Sequence, residues 1–461
     1  MGDQRVKIKK YFKRKAYDEM LQWKQKAAPD YVLFLKGARR TGKSTLAEKF
    51  GAENYKSYIL IRFDKASPQI KSLFTDSLDD LDTFFNVLQL AYKKRLYPRE
   101  SLIILDEIQL FPLARQALKT LLEDGRYDYI ETGSLATVQK GNAEILVPSE
   151  EYPINVNPMD FEEYLWANDD EITMGILREH FQSKKEFGTQ MLHSIMKKYR
   201  EYMCVGGMPQ AVSAYIESHD FGKVDFVKQS ILNLYNSDME SQQEENSDHA
   251  VSFFNRIPSE LSKHDKRYVV SHIDKNARVR EFGGAIKWLQ DARIINIAEK
   301  ITELSVAFNL NAEDSSFKCY LCDTGLLISL AYKDRPYLEN ELYGNILADK
   351  LQVNEGMLIE NMVAQSLTAN GHQCFFYKKE DKENKKVYEV DFAIREKSRI
   401  RLIEVKSGRS DSIKSLKKAK GIYGKSISEM IVLHAGEMKR GTEETGDKDI
   451  IYMPYFMAGL L

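Results

Sequence analysis

Short apolar runs, separated by stretches with apolar residues at helical spacing, dominate the first third of the chain. Val32–Leu35 and Leu102–Leu105 are unbroken apolar runs, Tyr58–Phe63 is interrupted only by Arg62, and a further run starts at Tyr127 and ends at Glu131. Runs of this kind, without polar alternation, predict strands covered on both faces in a parallel sheet. Between them Leu73, Phe74, Leu78, Leu81, Phe84, Phe85, Leu88 and Leu90 recur at helical spacing, which predicts helix over 70–97, and a second helix is expected over 114–122. Upstream, Tyr17, Met20, Leu21 and Trp23 share one face of a helix that leads into the first strand. Strands alternating with helices predict an α/β layer with helices on both faces of the sheet.

The pattern changes beyond residue 160. Residues 160–245 have helical spacing, interrupted at 202–212 by Gly206, Gly207 and Pro209. Residues 237–249 are polar and acidic and predict a loop or an exposed helix end. Over 268–310 a helix (280–290) precedes a strand starting at Ile294, the order of a winged helix. Arg278, Arg280 and Lys287 would then face DNA phosphates, or the unit would be a lid or spacer. The last third predicts a helix over 356–367 and strands over 374–377, 387–394 and 400–406, with a charged hairpin tip at 378–386. Three regions follow: 1–165, 166–335 and 336–461.

Composition narrows the function classes. The chain has 461 residues, 43% hydrophobic and 29% charged, with a formal net charge of −1. The molecule as a whole therefore has no general attraction for polyanions, and any nucleic-acid contact must come from a local patch. No apolar run approaches the roughly 20 residues that cross a bilayer, and the basic start of the chain has no apolar core after it. A cytoplasmic protein without membrane contact is expected. The cysteines, Cys204, Cys319, Cys322 and Cys374, suit a reducing compartment. Cys319 and Cys322 form C-x-x-C, but no second pair completes a zinc site, so both are expected in the core.

The candidate chemistry begins at Gly37. The segment G-A-R-R-T-G-K-S-T (37–45) fits G-x-x-x-x-G-K-[ST], a phosphate-binding loop between a strand and a helix. Gly37 and Gly42 allow left-handed backbone and close approach to phosphate. The loop N–H groups and the helix dipole favour an anion. Gly37, Arg40, Thr41, Gly42, Lys43, Ser44 and Thr45 are expected to hold ATP, with Lys43 on the phosphates. Ser44 is expected to ligate Mg²⁺ together with Asp106, at the end of the second buried run. Glu107 is expected to activate water. At the end of the run from Tyr127, Thr132 or Ser134 is placed to sense the γ-phosphate, or Ser134 to cap a helix. Arg14 is expected to be solvated. Arg95, Arg99, Arg115 and Arg126 are all candidates for an arginine finger, which leaves activation within a homo-oligomer open.

A second constellation lies near the C-terminus. Asp391, Glu404 and Lys406 form D-x₁₂-E-x-K across two predicted strands, and Glu360 lies on the helix before them. Alternation puts Glu404 and Lys406 on one face. Charges on otherwise apolar strands are costly in a core, and a metal site accounts for them. Asp391, Glu404 and Glu360 are then Mg²⁺ ligands, and Glu404 and Lys406 are catalytic, with DNA or RNA as the substrate. An edge strand with a surface ion pair is the alternative.

These residues together resemble a prokaryotic family of AAA-type ATPases joined to a C-terminal domain of unknown function, the DUF4143 type. The resemblance runs through K-R-K-A-Y-D-E-M-L (13–21), the P-loop, L-D-E-I-Q (105–109), T-G-S (132–134), N-P-M-D-F-E-E-Y-L (157–165), G-G-M-P (206–209), D-T-G-L-L (323–327) and V-D-F with I-E-V-K-S-G (390–408). It implies ATP binding on a P-loop NTPase sheet, a helical and winged-helix-like middle, and a C-terminal α/β domain similar to the restriction-endonuclease-like PD-(D/E)xK fold. Val390 stands where the nuclease pattern has proline. The reading is an Mg²⁺-dependent ATPase coupled to a nuclease-like, nucleic-acid-acting domain. The alternative is an ATP-dependent switch or scaffold whose C-terminal module binds without cleaving.

Overall fold

The computed structural model describes residues 11–133, 149–241, 244–275, 278–333, 340–347, 355–381, 386–406, 413–444 and 446–461. The chain divides into two compact units, 1–157 with 291–293, and 158–290 with 294–461.

The first unit contains α1 (Lys15–Lys26), β1 (Val32–Lys36), α2 (Lys43–Asn54), β2 (Ser57–Arg62), α3 (Pro68–Asp76), α4 (Leu81–Tyr92), β3 (Ser101–Asp106), α5 (Pro112–Asp124), β4 (Asp128–Gly133) and β5 (Glu151–Asn155). Its strands form one parallel sheet in the order β2-β3-β4-β1-β5. Every residue of β3 is buried, because successive side chains serve opposite faces. Leu102 and Ile104 join Leu33, Leu35, Ile130 and Ile154 against α1 and α2, where Met20, Trp23, Leu46 and Phe50 pack. Ile103 and Leu105 join Ile59, Ile61 and Tyr129 against α3, α4 and α5. Each such side chain stabilises the fold by about 1.5–3 kcal/mol on full burial. The two apolar faces hold the C-terminal ends of β1, β3 and β4 side by side, and the polar chemistry gathers there.

The second unit starts with helices α6 (Phe161–Ala167), α7 (Thr173–Ser183), α8 (Thr189–Val205), α9 (Pro209–Ser218), α10 (Phe221–Glu240) and α11 (Glu244–Leu261), followed by α12 (Gly283–Asp291). Then come β6 (Ile295–Ile301), β7 (Ala312–Leu321), α13 (Thr324–Ala331), α14 (Asn340–Leu347), α15 (Glu355–Ala369), β8 (Cys374–Asp381), β9 (Lys386–Glu396), β10 (Arg399–Val405), α16 (Lys414–Tyr423), β11 (Ile427–His434), β12 (Lys439–Arg440) and β13 (Ile450–Pro454). Its sheet has the order β12-β13-β11-β10-β9-β8-β6-β7. Helix α15 is buried without a break from Met357 to Leu367, its polar residues Glu360, Asn361 and Gln365 included, so it is enclosed all round rather than presenting one apolar face.

The expected winged-helix unit over 268–310 takes a different form. The helix and the antiparallel pair β6–β7 exist, but β6 also pairs in parallel with β8, Ala298 to Cys374 through Ile301 to Tyr377. The strands of the supposed wing are thus part of the C-terminal sheet, and a boundary at 335/336 falls between strands of one sheet. The physical reason is edge satisfaction. A two-stranded ribbon leaves unpaired N–H and C=O groups along both edges, and β8 satisfies those of β6.

Candidate nucleotide site and C-terminal charge cluster

The P-loop connects β1 to α2. A Cβ on Gly37 would stand 2.3 Å from the Val156 carbonyl oxygen, so only glycine lets the loop lie against the chain that follows β5. Gly42 has φ +96° and Arg40 φ +71°, both left-handed. Helix α2 begins at Lys43, and the N–H groups of its first turn have no intrahelical acceptor. Thr41 is buried, and its hydroxyl donates to the Ala38 carbonyl at 2.9 Å. Thr45 is half-buried in the first turn of α2. Lys43 is buried and folds back on the loop, its ammonium donating to the carbonyls of Gly37 and Ala38, each at 2.9 Å. Burial pushes that ammonium down to about 8, with Glu107 and Asp106 opposing the shift.

Arg14 is not solvated. It is buried at the start of α1, and its guanidinium donates to the Thr41 carbonyl at 2.8 Å and the Asn157 carbonyl at 2.6 Å. It braces the P-loop against the segment after β5. Sequence periodicity carries no signal for this contact, because the acceptors are backbone carbonyls far along the chain.

At the end of β3, Asp106 Oδ1 accepts from Ser44 Oγ at 2.6 Å and from Thr132 Oγ1 at 2.5 Å. The P-loop hydroxyl, the strand-end carboxylate and the neighbouring strand-end hydroxyl are therefore one hydrogen-bonded chain. Glu107 follows with φ +55°, a left-handed backbone uncommon for a non-glycine residue. Its N–H donates to Thr132 Oγ1 at 3.3 Å, and its carboxylate accepts from the Gln109 side-chain amide. Gly133 leaves the room for that amide, since a Cβ there would stand 2.7 Å from Gln109 Oε1. Of the two sensing candidates, Thr132 is in the chain of contacts; Ser134 lies outside the described residues.

Three of the four candidate finger arginines have partners within this unit. Arg115 is buried and pairs with Glu151 at 2.7 Å and Glu131 at 3.5 Å. Arg99 pairs with Asp128 at 2.8 Å, and Arg126 with Asp124 at 2.9 Å and Asp82 at 2.5 Å. Arg95 lies over the ring of Tyr97.

In the second unit, Glu360 on α15, Asp391 on β9 and Glu404 on β10 lie in one neighbourhood, yet they do not face a common point as three ligands. Among the described residues no group of three or more His, Cys, Asp or Glu side chains is arranged to hold a metal ion. The cation in their midst is Lys318 of β7, which the sequence reading did not single out. Its ammonium is 3.2 Å from Glu360 Oε1, 3.1 Å from Asp391 Oδ1 and 3.0 Å from Glu389 Oε1, and the side chain is 1% exposed. Despite burial, those three carboxylates hold the ammonium well above its ordinary value. Glu360 also accepts from Tyr320 Oη at 2.5 Å and pairs with Lys266. Burial favours its neutral form, but Lys318 and Lys266 outweigh it and hold the carboxyl down to about 2. Asp391 Oδ2 accepts the Val405 N–H at 2.9 Å. Lys406 does pair with Glu404, at 2.5 Å. Burial pushes Glu404 up to about 8, Asp391 adding to the shift, and Glu404 Oε2 is buried with no hydrogen-bond partner among the described residues.

The four cysteines are buried and unpaired, so Cys319 and Cys322 belong to the core as expected. No helix of the described residues is long and apolar enough to cross a membrane.

Residues 29–165 match the family model described as an AAA domain, and residues 355–456 match a domain of unknown function, DUF4143. Residues 196–336 match a further domain of unknown function, DUF8612, which covers α8 to α13. No curated protein matches the chain. Among solved structures, the Walker-type ATPase PABY2304 of Pyrococcus abyssi is 16% identical, over 69% of this chain and 96% of that one, with a TM-score of 0.38. The Orc1 protein of Aeropyrum pernix, solved in complex with DNA, is 11% identical over 74% and 93% of the two chains, at a TM-score of 0.28. The AMPPCP-bound DnaA of Aquifex aeolicus is 11% identical over 60% and 86%, also at 0.28. These scores are too low to carry an argument. The P-loop, the strand-end acids and the match over residues 29–165 together give the chain a P-loop ATPase domain of the AAA type, and residues 355–456 are a DUF4143 region.

Proposed function

We propose that the protein is an Mg²⁺-dependent, ATP-hydrolysing switch whose C-terminal module binds its target without cleaving it. The observation that supports the first half is the hydrogen-bonded chain Ser44–Asp106–Thr132 beside the P-loop. A hydroxyl and a carboxylate 2.6 Å apart at the mouth of the loop are a donor set suited to Mg²⁺. Ser44 and Asp106 would hold the ion, which neutralises phosphate charge when bound. Lys43 leaves the Gly37 and Ala38 carbonyls for the β- and γ-phosphates. The free N–H groups at the start of α2 take phosphate oxygens. Glu107 orients and deprotonates the attacking water, and Gln109 and the Thr132 hydroxyl fix its position. Thr132, whose hydroxyl donates to the Asp106 carboxylate and accepts the Glu107 N–H, is the residue through which the presence of the γ-phosphate is sensed.

Two substitutions separate binding from turnover. Lys43→Met is expected to abolish ATP binding, measured by equilibrium titration with a fluorescent ATP analogue. Glu107→Gln is expected to bind ATP normally but to lose about 10²-fold or more in turnover. Normal turnover by Glu107→Gln would remove Glu107 from the mechanism.

The non-cleaving reading of the C-terminal module is supported by Lys318, whose ammonium lies on two of the three carboxylates a metal would need. One observation favours a metal-dependent nuclease acting on DNA or RNA instead: among the described residues Glu404 Oε2 is buried without a partner, beside Lys406. Strand cleavage that disappears in Asp391→Ala would establish that second reading.

A further inference from the structure

We infer that Lys318 is the resident cation of the Glu360–Glu389–Asp391 carboxylate cluster, and that it keeps divalent metal out of a site that opens only when its ammonium is removed. This rests on the non-cleaving reading of the C-terminal module and gives it a cause.

The argument is one of donor capacity. A hard divalent cation needs several oxygens with free lone pairs directed at one point. Both Glu360 oxygens are engaged: Oε1 by Lys318 at 3.2 Å and Tyr320 at 2.5 Å, Oε2 by Lys266. Asp391 gives Oδ1 to Lys318 at 3.1 Å and Oδ2 to the Val405 N–H at 2.9 Å. Glu389 pairs with Lys318 at 3.0 Å and with Lys378 at 2.8 Å. Glu404 gives one oxygen to Lys406, and its other oxygen has no partner among the described residues. Among the described residues four carboxyl groups (Glu360, Glu389, Asp391, Glu404) thus meet four ammonium groups (Lys266, Lys318, Lys378, Lys406), and Asp265, which also holds Lys378 at 3.1 Å, is itself paired with Arg267 at 2.7 Å. The cluster therefore offers no surplus of negative charge to draw in a metal. Lys318 is also held in place. It lies in the middle of a sheet strand, its ammonium stands 5.3 Å from the centre of the Phe376 ring, and it is shut off from solvent. A metal that took these carboxylates would leave the buried ammonium without them, which is strongly unfavourable. Removing Lys318 reverses the balance: Glu360, Glu389 and Asp391 then face one another with a cation missing.

The test is Mn²⁺ binding to the nucleotide-free full-length chain, read from the electron paramagnetic resonance signal of the free ion. The wild type and Asp391→Asn are expected to give the same isotherm. Lys318→Met is expected to gain one Mn²⁺ per chain, bound about tenfold or more tighter than any site of the wild type, and Lys318→Met with Asp391→Asn to lose it again. A site in the wild type that Asp391→Asn removes would overturn the inference, as would a folded Lys318→Met that gains none. Where Lys318→Met fails to fold, the comparison of wild type with Asp391→Asn decides alone. ATP turnover of the same preparations reports separately on the P-loop, so a defect there does not bear on this inference.

Discussion

Glu404 and Lys43 are both buried charged groups, and their surroundings move them in ways that can be measured. Glu404 rises to about 8 from an ordinary 4.5, chiefly through burial and then through Asp391. A carboxyl whose folded value exceeds its unfolded one contributes stability that is full below 4.5 and is lost as pH climbs to about 8. Glu404→Gln mimics the protonated form, so it is expected to lose that pH dependence. At pH 9 it should be more stable than the wild type by about 1–3 kcal/mol, with the two alike near pH 5. Urea unfolding of both proteins across this range checks it; parallel pH profiles would contradict it. Lys43, by contrast, was legible in the sequence because its role is local: a glycine-bounded loop, a lysine and a hydroxyl at fixed spacing. Lys318 was not legible, because its partners Glu360, Glu389 and Asp391 lie 42 to 73 residues further along the chain. Only the pairing of strands reveals that they meet.

At the scale of elements, three of the segments that carried the family resemblance pack on one another. Helix α8 ends at Gly206, with φ +82°. A Cβ there would stand 2.4 Å from Asp323 Oδ1, and a Cβ on Gly325 would stand 2.7 Å from the Gly206 Cα. Asp323 is fully buried, accepts the Gly207 N–H at 2.5 Å and caps α13 through the Leu326 N–H at 2.8 Å. The Gly207 carbonyl in turn accepts the Met159 N–H at 2.7 Å, just before the Asp160–Glu163 capping box that starts α6. The motifs N-P-M-D-F, G-G-M-P and D-T-G-L-L are thus one structural joint. Gly206→Ala is expected to destabilise the protein by about 2–4 kcal/mol, from left-handed strain and the displaced Asp323 carboxylate. Gly175→Ala, in exposed helix α7 with nothing within 4 Å of the added methyl, is expected to be neutral or stabilising by up to about 1 kcal/mol. Equal unfolding midpoints for the two variants would contradict the joint. The sequence showed a turn at 206–209 but not what the turn clasps, since a glycine required by packing looks the same as one required by flexibility.

For the whole molecule, β1 to β4 of the first unit were legible because buried parallel strands are apolar without interruption, whereas the edge strand β5, mostly polar and exposed, and the strand order were not. The second unit was less so. Its sheet draws strands from both sides of the predicted boundary at 335/336, with β6 and β8 joined across a long intervening segment. Hydrophobic periodicity identifies strands but carries no information about such pairing. One reaction tests the account as a whole. Supercoiled, linear and single-stranded DNA and RNA are incubated with the protein and Mg²⁺ or Mn²⁺, with and without ATP, while phosphate release and strand breakage are read together. Lys43→Met and Asp391→Ala run alongside. The account predicts phosphate release that Lys43→Met abolishes, and intact nucleic acid in every lane. Strand cleavage that Asp391→Ala removes, or phosphate release indifferent to Lys43, would contradict it.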